Sequence, residues 1–198
     1  MKQQKIKRYR LSVSQTFPMT HPRKGGGTNF TYKIFSALGK YDDSLSKSIG
    51  VDKINPKLHT IRGNYPLWEK RMAEVQAGRA VIELFYWDGK PYRSPQVVFA
   101  TLDKNSGCGV QELDYPNREI ECETCDGIGT VMIAKLYPNG HCEVNEDCPD
   151  CGGSGVIEIG IDSIAKNDGL SLQDFNDWFK KADLNEPMAI IHFTKFRY

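Results

Sequence analysis

The spacing of apolar and polar residues changes several times along the chain and predicts both strands and helices. Period-two alternation, or short apolar runs bounded by turn residues, predicts strands at 7–17, 58–62, 80–87, 95–102, 110–113, 130–137, 141–144, 156–161 and 188–196. Apolar residues three and four positions apart, between capping residues and glycines, predict helices at 30–38, 66–77 and 172–182 and a shorter one from 163. This mixture predicts an α+β protein.

The order of these elements predicts a small closed sheet with helices against it. Residues 1–115 would form the first part of this β-barrel, and 158–198 would add its closing helix and strand. Between them, residues 116–157 predict an inserted hairpin that turns at Pro138-Asn139-Gly140. The polar stretch 40–56 reads as a loop.

Two copies of one cysteine pattern, C-x-x-C-x-G-x-G, stand 26 positions apart on either side of the predicted hairpin. The cysteines of the two copies are Cys122, Cys125, Cys148 and Cys151. Two C-x-x-C turns supply the four thiolates of a closed tetrahedral zinc site, and the glycines let the backbone turn tightly around the metal. A redox dithiol needs one such pair, so the sequence predicts one structural Zn²⁺ that clamps the hairpin.

Cys108 and Cys142 lie outside the repeat and are read as free thiols, with Cys142, next to His141, as an alternative metal ligand. Metal-bound cysteines favour a reducing compartment. The basic residues at 1–10 are not followed by an apolar signal region, and the chain has no apolar run of 18 residues. We therefore expect a cytoplasmic protein that does not cross a membrane.

The net charge of +1 conceals two regions of opposite sign. Residues 1–80 carry 16 lysines and arginines against 5 acidic residues, whereas 81–198 carry 10 against 20. Within 112–158, 11 acidic residues face only Arg118 and Lys135. Nucleic-acid affinity depends on cationic contacts to phosphate, so a nucleic-acid surface is expected in the first 80 residues. The acidic hairpin is a candidate surface for a protein partner.

The cysteine repeat resembles the zinc-binding unit of DnaJ-type chaperones, which uses the same C-x-x-C-x-G-x-G pattern. The resemblance covers about 120–156, and this chain has two motifs where the chaperone region carries four. It implies a finger that could hold other proteins. The chain contains no His-Pro-Asp signature of a J-domain.

A second resemblance rests on residues 55–62, NPKLHTIR, which look like the K-x-x-T-x-R signature of the ASCH family of PUA-like barrels. Its signature positions are Lys57, Thr60 and Arg62. The stretch 164–171 with Phe175 and Trp178 is similar to the family's entry into a late helix. The resemblance implies a PUA-like barrel whose cleft holds a nucleotide, a modified nucleoside or RNA.

Some ASCH members hydrolyse an amide on an acylated cytidine, using a lysine, a threonine and a carboxylate. The matching positions are Lys57, Thr60 and Asp168, although a glutamate occupies the last position in the amidohydrolase. Lys57 would be the base, Thr60 the nucleophile, and Asp168 the group that orients Lys57 or shuttles a proton. Because 57 and 60 face opposite sides of a regular strand, these roles require a bend near Pro56.

Two further cations are ligand-binding candidates, because Arg23 and Lys24 precede the run Gly25-Gly26-Gly27, which could wrap a phosphate. Arg62 could hold a phosphate or a pyrimidine carbonyl. Each of these residues also has a purely structural interpretation. Lys57 and Arg62 could be solvated charges, and Thr60 could be an ordinary strand residue. Asp168 could stabilise a turn or cap a helix, and the glycines could form a flexible loop.

The sequence therefore supports three functions. The first is a PUA-like module that binds RNA or a modified nucleoside in a basic cleft, with a zinc hairpin as scaffold. The alternative is an amidohydrolase acting on an N4-acetylcytidine-like nucleoside. The third is a DnaJ-like finger that contacts proteins.

Overall fold

A computed structural model describes residues 6–40, 55–113, 118–137, 140–182 and 186–198 of the chain. The chain divides into two compact units, the first comprising Met1–Leu113 and Asp162–Arg197 and the second Asp114–Ile161. The segment predicted to be an insertion, residues 116–157, lies within the second unit. Most of the predicted polar loop and the predicted turn at Pro138-Asn139 lie outside the described residues.

The elements alternate between strands and helices along the chain. The described strands are β1 (Lys7–Ser12), β2 (His59–Gly63), β3 (Ala80–Trp87), β4 (Gln96–Leu102), β5 (Gly109–Glu112), β6 (Arg118–Glu121), β7 (Thr130–Tyr137), β8 (Gly140–Asp147), β9 (Val156–Ile159) and β10 (Met188–His192). The described helices are α1 (Phe30–Ala37), α2 (Tyr65–Gln76), α3 (Ile161–Asn167) and α4 (Leu172–Phe179).

Two three-stranded sheets belong to the first unit. In one, β3 lies between β1, which runs parallel to it, and β4, which runs antiparallel. In the other, β10 lies between β2 and β5 and is antiparallel to both. Both central strands are nearly continuous apolar runs, AVIELFYW and MAIIH, as expected for strands covered on two faces.

Two helices of the first unit begin at side-chain caps. The Asn64 side chain accepts a hydrogen bond from the Leu67 N–H at the start of α2, and Ser171 accepts one from the Asp174 N–H at the start of α4. Helix α2 then buries Trp68, Met72 and Val75, which lie four and three residues apart on one face.

The apolar core of the first unit draws on both sheets and the helices. Its most deeply buried side chains include Leu11, Ile34, Ile61, Met72, Ile82, Leu84, Leu102, Ile191 and Phe193. Full burial of one such side chain contributes about 1.5–3 kcal/mol to folding. The same unit also buries several polar side chains, among them Lys57, Thr60 and Asp168.

The second unit consists of two antiparallel strand pairs joined by the cysteine motifs. Strands β7 and β8 form a hairpin in continuous register from Thr130 opposite Asp147 to Tyr137 opposite Gly140. Strand β6 pairs with β9. The first motif connects β6 to β7 and the second connects β8 to β9. The buried hydrophobic cluster described in this unit consists of Cys122, Cys125 and Cys148, with Val131 and Cys151 packed against it.

The predicted α+β class is confirmed, but the predicted barrel is not. Among the described residues the strands form four small sheets, and none of these sheets closes on itself. Residues 158–161, assigned from sequence to the closing part of the barrel, belong to the second unit, where β9 pairs with β6. In the described part of the chain, no helix combines the length and apolar character needed to cross a bilayer.

Candidate functional site

Lys57 lies in an extended segment that three neighbouring elements hold in place. Its backbone N–H donates to the Lys33 carbonyl of α1 at 3.0 Å. The next N–H, of Leu58, donates to the Asn167 carbonyl at the end of α3, and the Leu58 carbonyl accepts from Phe193. Because β2 begins only at His59, Lys57 lies outside the strand. The alternation of side chains between the two faces of a strand therefore does not set the direction of its side chain. Lys57 and Thr60 are both buried.

Asp168 ends helix α3 in a Schellman motif. The Gly169 N–H donates to the Lys166 carbonyl, and the Leu170 N–H donates to the Ala165 carbonyl. Gly169 has a φ of 76°, in the left-handed region that glycine adopts without strain. This turn directs the Asp168 side chain and the last carbonyls of the helix toward Lys57.

Lys57 and Asp168 form a buried ion pair. The Lys57 ammonium donates to Asp168 Oδ1 at 2.6 Å and to the Asp168 backbone carbonyl, also at 2.6 Å. Lys57 is only 1% exposed and Asp168 3%. The Phe30 ring lies against the same ammonium, with its centroid 4.2 Å from Nζ. The sequence predicted that these two residues act together, and the structure brings them together across 111 positions of the chain.

Burial dominates the ionisation of this pair. It lowers the pKa of Lys57 to about 8, although the charge and hydrogen bond of Asp168 oppose the shift. Burial also raises the pKa of Asp168 above its usual range, against the effect of Lys57. A lysine whose pKa falls this far can give up its proton near neutral pH, as a catalytic base must.

Gly169 also allows the close approach of two lysines. A Cβ atom at this position would lie 3.2 Å from Lys57 Cβ and 3.2 Å from Lys33 Cδ. Both distances are tighter than ordinary van der Waals contacts. The absence of a side chain at 169 therefore decides how near Lys33 and Lys57 come to the end of α3.

Thr60 and Arg62 lie on β2 and are bonded to each other. Arg62 Nη1 donates to Thr60 Oγ1 at 2.9 Å and to the Ile61 carbonyl, and Nη2 donates to the Ser12 carbonyl. Thr60 is buried and Arg62 half-buried. Burial lowers the pKa of Arg62, and the charge of Asp168 opposes this. Among the described residues, no hydrogen bond joins Thr60 to Lys57.

Lys33, three residues after Phe30 on α1, was not predicted as a site residue. Its ammonium donates to the Gly169 carbonyl at 2.6 Å, and its charge acts on both Lys57 and Asp168. The i, i+3 spacing placed Phe30 and Lys33 on one helical face, but no local pattern indicated what that face contacts. Lys57, Asp168, Thr60, Arg62 and Lys33 are called the lysine–aspartate site below.

Of the two other predicted ligand-binding cations, Arg23 is engaged and Lys24 is exposed. Arg23 Nη1 pairs with Asp174 Oδ2 at 2.6 Å, and the guanidinium lies over the Phe17 ring, 4.5 Å from its centroid. Its positive charge also acts on Lys33. Lys24 contributes its backbone N–H to the carbonyl of His21.

His59, the first residue of β2, is completely buried. Its Nδ1 lies 3.6 Å from Asp168 Oδ1, and its ring contacts that of His192 edge to face at 5.7 Å. Burial, reinforced by the charge of Lys57, holds the pKa of His59 well below its usual range. His59 is therefore a neutral neighbour of the carboxylate.

The second candidate site is the cysteine cluster, formed by the sulfurs of Cys122, Cys125, Cys148 and Cys151, which all lie within 4.8 Å of one another. Two of the sulfur pairs, Cys122 with Cys148 and Cys125 with Cys151, are 3.7 Å apart. Tetrahedral Zn–S bonds of about 2.3 Å place sulfurs about 3.8 Å apart, whereas a disulfide needs about 2.05 Å. The cluster therefore fits a metal ion and contains no disulfide.

The two cysteine motifs make reciprocal backbone contacts. The Cys122 N–H donates to the Gly155 carbonyl at 2.9 Å, and the Cys148 N–H donates to the Gly129 carbonyl at 2.8 Å. In each motif the last glycine donates to the second cysteine: Gly129 N–H to Cys125 Sγ at 3.2 Å and Gly155 N–H to Cys151 Sγ at 3.3 Å. The repeat in the sequence is thus an approximate two-fold symmetry in space.

The last glycine of each motif is also sterically required. A Cβ at Gly129 would overlap the Gly153 carbonyl oxygen, and a Cβ at Gly155 would overlap that of Gly127. Neither oxygen can move freely, because both belong to the backbone that folds around the sulfurs. The sequence predicted that the glycines allow the backbone to turn tightly. At Gly129 and Gly155 the backbone of the other motif occupies the space that a side chain would need.

The thiols of the cluster differ in acidity. Burial raises the pKa of Cys125 to about 12, although the Gly129 N–H opposes it. For Cys151, burial is outweighed by the N–H groups of Gly155 and Gly153, and its pKa is lowered to about 7. Metal binding requires thiolates and so releases protons.

The two remaining cysteines are not part of this cluster. Cys142 is exposed on β8, opposite Lys135, so the alternative in which it ligates the metal is not seen. Cys108 is buried beside the Asp103 carbonyl, and burial raises the pKa of its thiol to about 11. Both are free thiols in the structure.

No protein-family model matches this chain. Comparison with curated proteins and comparison with solved structures likewise gave no match. The functional argument therefore rests on the two sites themselves.

Proposed function

We propose that the first unit binds RNA or a modified nucleoside, and that the lysine–aspartate site receives it. The carrying observation is the excess of positive charge around Asp168, whose ionisation is affected by Lys57, Arg62 and Lys33 together. Three cations against one carboxylate leave the site positive. Positive sites attract the phosphates of nucleic acids and their components.

The ASCH-like signature supports this proposal through the same residues. The resemblance implies that Lys57, Thr60 and Arg62 bind the ligand, and all three belong to the lysine–aspartate site. In this proposal Arg23 and Lys24 extend the basic surface. In this proposal the sheets β1-β3-β4 and β2-β10-β5 are the two sides of a PUA-like fold. The two hydrogen bonds from Arg62 to Thr60 and Ser12 hold its guanidinium ready for a ligand.

Binding is tested by fluorescence anisotropy with a labelled single-stranded RNA and by calorimetry with N4-acetylcytidine. Binding should weaken steeply with salt for RNA, because each phosphate contact releases counterions. Arg62→Gln should weaken binding at least about tenfold, as expected for loss of a charge-assisted hydrogen bond. Arg79→Gln, which changes an exposed arginine of the same unit, is the matched control. If neither the RNA nor N4-acetylcytidine binds, the proposal is refuted.

A second function, hydrolysis of an acylated nucleoside, is favoured by one observation, the lowered pKa of Lys57 beside Asp168. Neutral Lys57 would take the proton of Thr60, whose oxygen would attack the amide carbonyl. The amide C–N bond would then break as Lys57 returns the proton to the leaving amine, and water would hydrolyse the remaining ester on Thr60 to release the carboxylic acid. We rank this function second because Lys57 is bonded to Asp168 and not to Thr60 in the described residues.

Hydrolysis is tested by incubating the protein with N4-acetylcytidine and measuring cytidine by chromatography. Activity should increase as the pH rises through about 8, where Lys57 loses its proton. Thr60→Val, which keeps the shape of the side chain, should abolish it. No cytidine at high protein concentration would remove this function and leave the binding function standing.

We propose that the cysteine cluster holds one Zn²⁺. Four sulfur ligands at tetrahedral spacing support this assignment, and they leave no open coordination position for substrate. The ion would therefore be structural, and the DnaJ-like resemblance of the motifs agrees with this. Elemental analysis of the purified protein should find about one zinc per chain. A different metal at that ratio would correct the identity of the ion, whereas no metal would refute the site.

A further inference from the structure

Two buried histidines lie beside the lysine–aspartate site, and neither proposed function uses them. His59 and His192 are paired residues across β2 and β10, and both are completely buried. His59 is the one that reaches the site, because its Nδ1 lies 3.6 Å from Asp168 Oδ1. The same oxygen accepts a hydrogen bond from the Lys57 ammonium at 2.6 Å. One carboxylate oxygen therefore lies between a proton donor and a ring nitrogen.

The surroundings of the His59 ring determine which of its nitrogens carries the proton. The ring donates a hydrogen bond to the backbone carbonyl of Ile164 on α3, and a carbonyl oxygen can only accept. Because Nδ1 is the nitrogen near Asp168, this bond belongs to Nε2. Nδ1 of the neutral ring then carries a lone pair on the side of the carboxylate. Two acceptors that lie this close are stabilised when a proton comes between them.

A proton acceptor inside the protein matters because Lys57 is shielded from water. Its side chain is 1% exposed, so solvent has almost no access to its proton. A transfer from Lys57 to His59 leaves the net charge of the lysine, the carboxylate and the imidazole at zero, so the buried site gains no uncompensated charge. The charges of Arg62 and Lys33 oppose the rise in the pKa of Asp168, and this favours the proton on the imidazole over the carboxylate.

We propose that Lys57, Asp168 and His59 form a proton relay that converts Lys57 into a neutral base. An N–H bond of Lys57 breaks as the proton passes to Asp168 Oδ1, and the new O–H bond breaks as the proton passes to Nδ1 of His59. The products are an amine, a carboxylate and an imidazolium. The 3.6 Å separation exceeds an ordinary hydrogen bond by roughly half an ångström, which a small side-chain rotation closes. This inference rests on the second proposed function, hydrolysis, and specifies how its base is formed.

The groups around His59 make its basicity depend on the state of Lys57. Burial, the charge of Lys57 and the neighbouring His192 hold the pKa of His59 well below its usual range. When Lys57 gives up its charge, burial and His192 still oppose protonation, but the Asp168 carboxylate at 3.6 Å favours it. His59 therefore becomes more basic when Lys57 is neutral, as the relay requires.

The test is nuclear magnetic resonance of the full chain with nitrogen-15 in its histidines, because the two ring nitrogens report separately on their protons. In the unmodified chain at about pH 7, His59 should be neutral with its proton on Nε2. In Lys57→Met, Nδ1 should become protonated and the pKa of His59 should rise by at least about one pH unit. His192, whose pKa is lowered by burial and by the charge of Arg197, is the internal control and should stay neutral in both chains. His59→Gln identifies the His59 signals.

Lys57→Met with Asp168→Leu is the matched control, in which Nδ1 should stay unprotonated because the carboxylate is gone. Tryptophan fluorescence shows whether each variant folds. A proton on Nδ1 in the unmodified chain at about pH 7 would overturn the inference, and this measurement needs no variant. A folded Lys57→Met chain whose Nδ1 stays unprotonated between about pH 5 and 8 would also overturn it.

The hydrolysis assay separates the relay from the function that it serves. Because the internal transfer releases no proton, the unmodified chain should keep a residual activity below about pH 8 that is level with pH. His59→Gln should lose this residual activity and fall about tenfold per pH unit. The same fall in the unmodified chain would overturn the relay and leave hydrolysis standing. If no cytidine is released, hydrolysis fails, and protonation of Nδ1 in Lys57→Met still decides whether the relay exists.

Discussion

The lysine–aspartate site and the cysteine cluster both bury groups that carry charge, but they differ in what surrounds them. Lys57 and Asp168 lie within a unit that buries Ile34, Ile61 and Ile191 and many other apolar side chains. The hydrophobic cluster described around the cysteine site consists of the cysteines themselves, with Val131 packed against them. We therefore expect apolar packing to hold the first site in place, and a bound metal ion to hold the second.

Removal of metal should have the largest effect and should separate the two regions. Structural zinc contributes about 10–16 kcal/mol in small peptides, more than the apolar contacts of the second unit can replace. A strong chelator, or Cys148→Ser, should unfold residues 118–161 and leave the first unit folded. Cobalt substitution gives a sulfur-to-metal absorption band for the second unit, and all three tryptophans report on the first.

Cys142→Ser is the control for that experiment, because Cys142 is exposed and outside the cluster. It should leave both signals unchanged. Simultaneous loss of the tryptophan signal and the cobalt band on chelation would show that the two units do not fold independently.

Asp168→Asn should have the next largest effect, in the first unit alone. It leaves the buried Lys57 ammonium without its carboxylate, which costs about 3–5 kcal/mol in measured cases. Urea unfolding followed by tryptophan fluorescence measures the loss. Asp162→Asn, an exposed position on the same helix, should cost less than about 1 kcal/mol. The double change Lys57→Met with Asp168→Leu should recover most of the lost free energy of unfolding. If it does not, the ion pair stabilises the fold more than apolar side chains in the same space do.

Gly169→Ala should act through space as well as through strain. An alanine in the left-handed region costs about 1–2 kcal/mol, and the overlap with Lys33 and Lys57 should add about 1–3 kcal/mol of crowding. Gly39→Ala isolates the strain, because Gly39 has a φ of 64° and open space around it. If the two variants lose equal free energy of unfolding, the lysines do not press on position 169.

The smallest expected effect is a rise in stability at high pH. The pKa of Lys57 is about 8 in the folded chain and about 10.4 when unfolded. Between these values the unfolded chain binds more protons, so the free energy of unfolding should rise with pH, by at most about 1.4 kcal/mol per pH unit. Asp168, Arg62 and Lys33 all act on this group, so the measurement is the difference from Lys57→Met, in which the rise should be missing.

Local patterns predicted several elements well and the contacts between them poorly. The apolar run at 80–87 coincides with β3, and the hairpin strand 130–137 coincides with β7. The parallel pairing of β1 with β3 leaves no local signal, because it joins residues more than 70 positions apart. Strand β6 was missed because only four residues form it and their partners are in β9.

The candidate sites show the same division. The cysteine cluster followed from spacing, because each motif places two of its ligands by itself. The Lys57–Asp168 pair was predicted through a resemblance, whereas Lys33 and His59 were not, because their roles arise only when α1 and α3 meet the start of β2. Arg23 was predicted as a phosphate ligand from the glycines beside it, and its partner Asp174 came from a helix 151 residues away.

The exchanged backbone bonds between the cysteine motifs use the same local geometry twice. The amide of the first cysteine in each motif meets the carbonyl of the last glycine in the other motif. One eight-residue pattern, copied once, therefore supplies both halves of these cross-motif contacts.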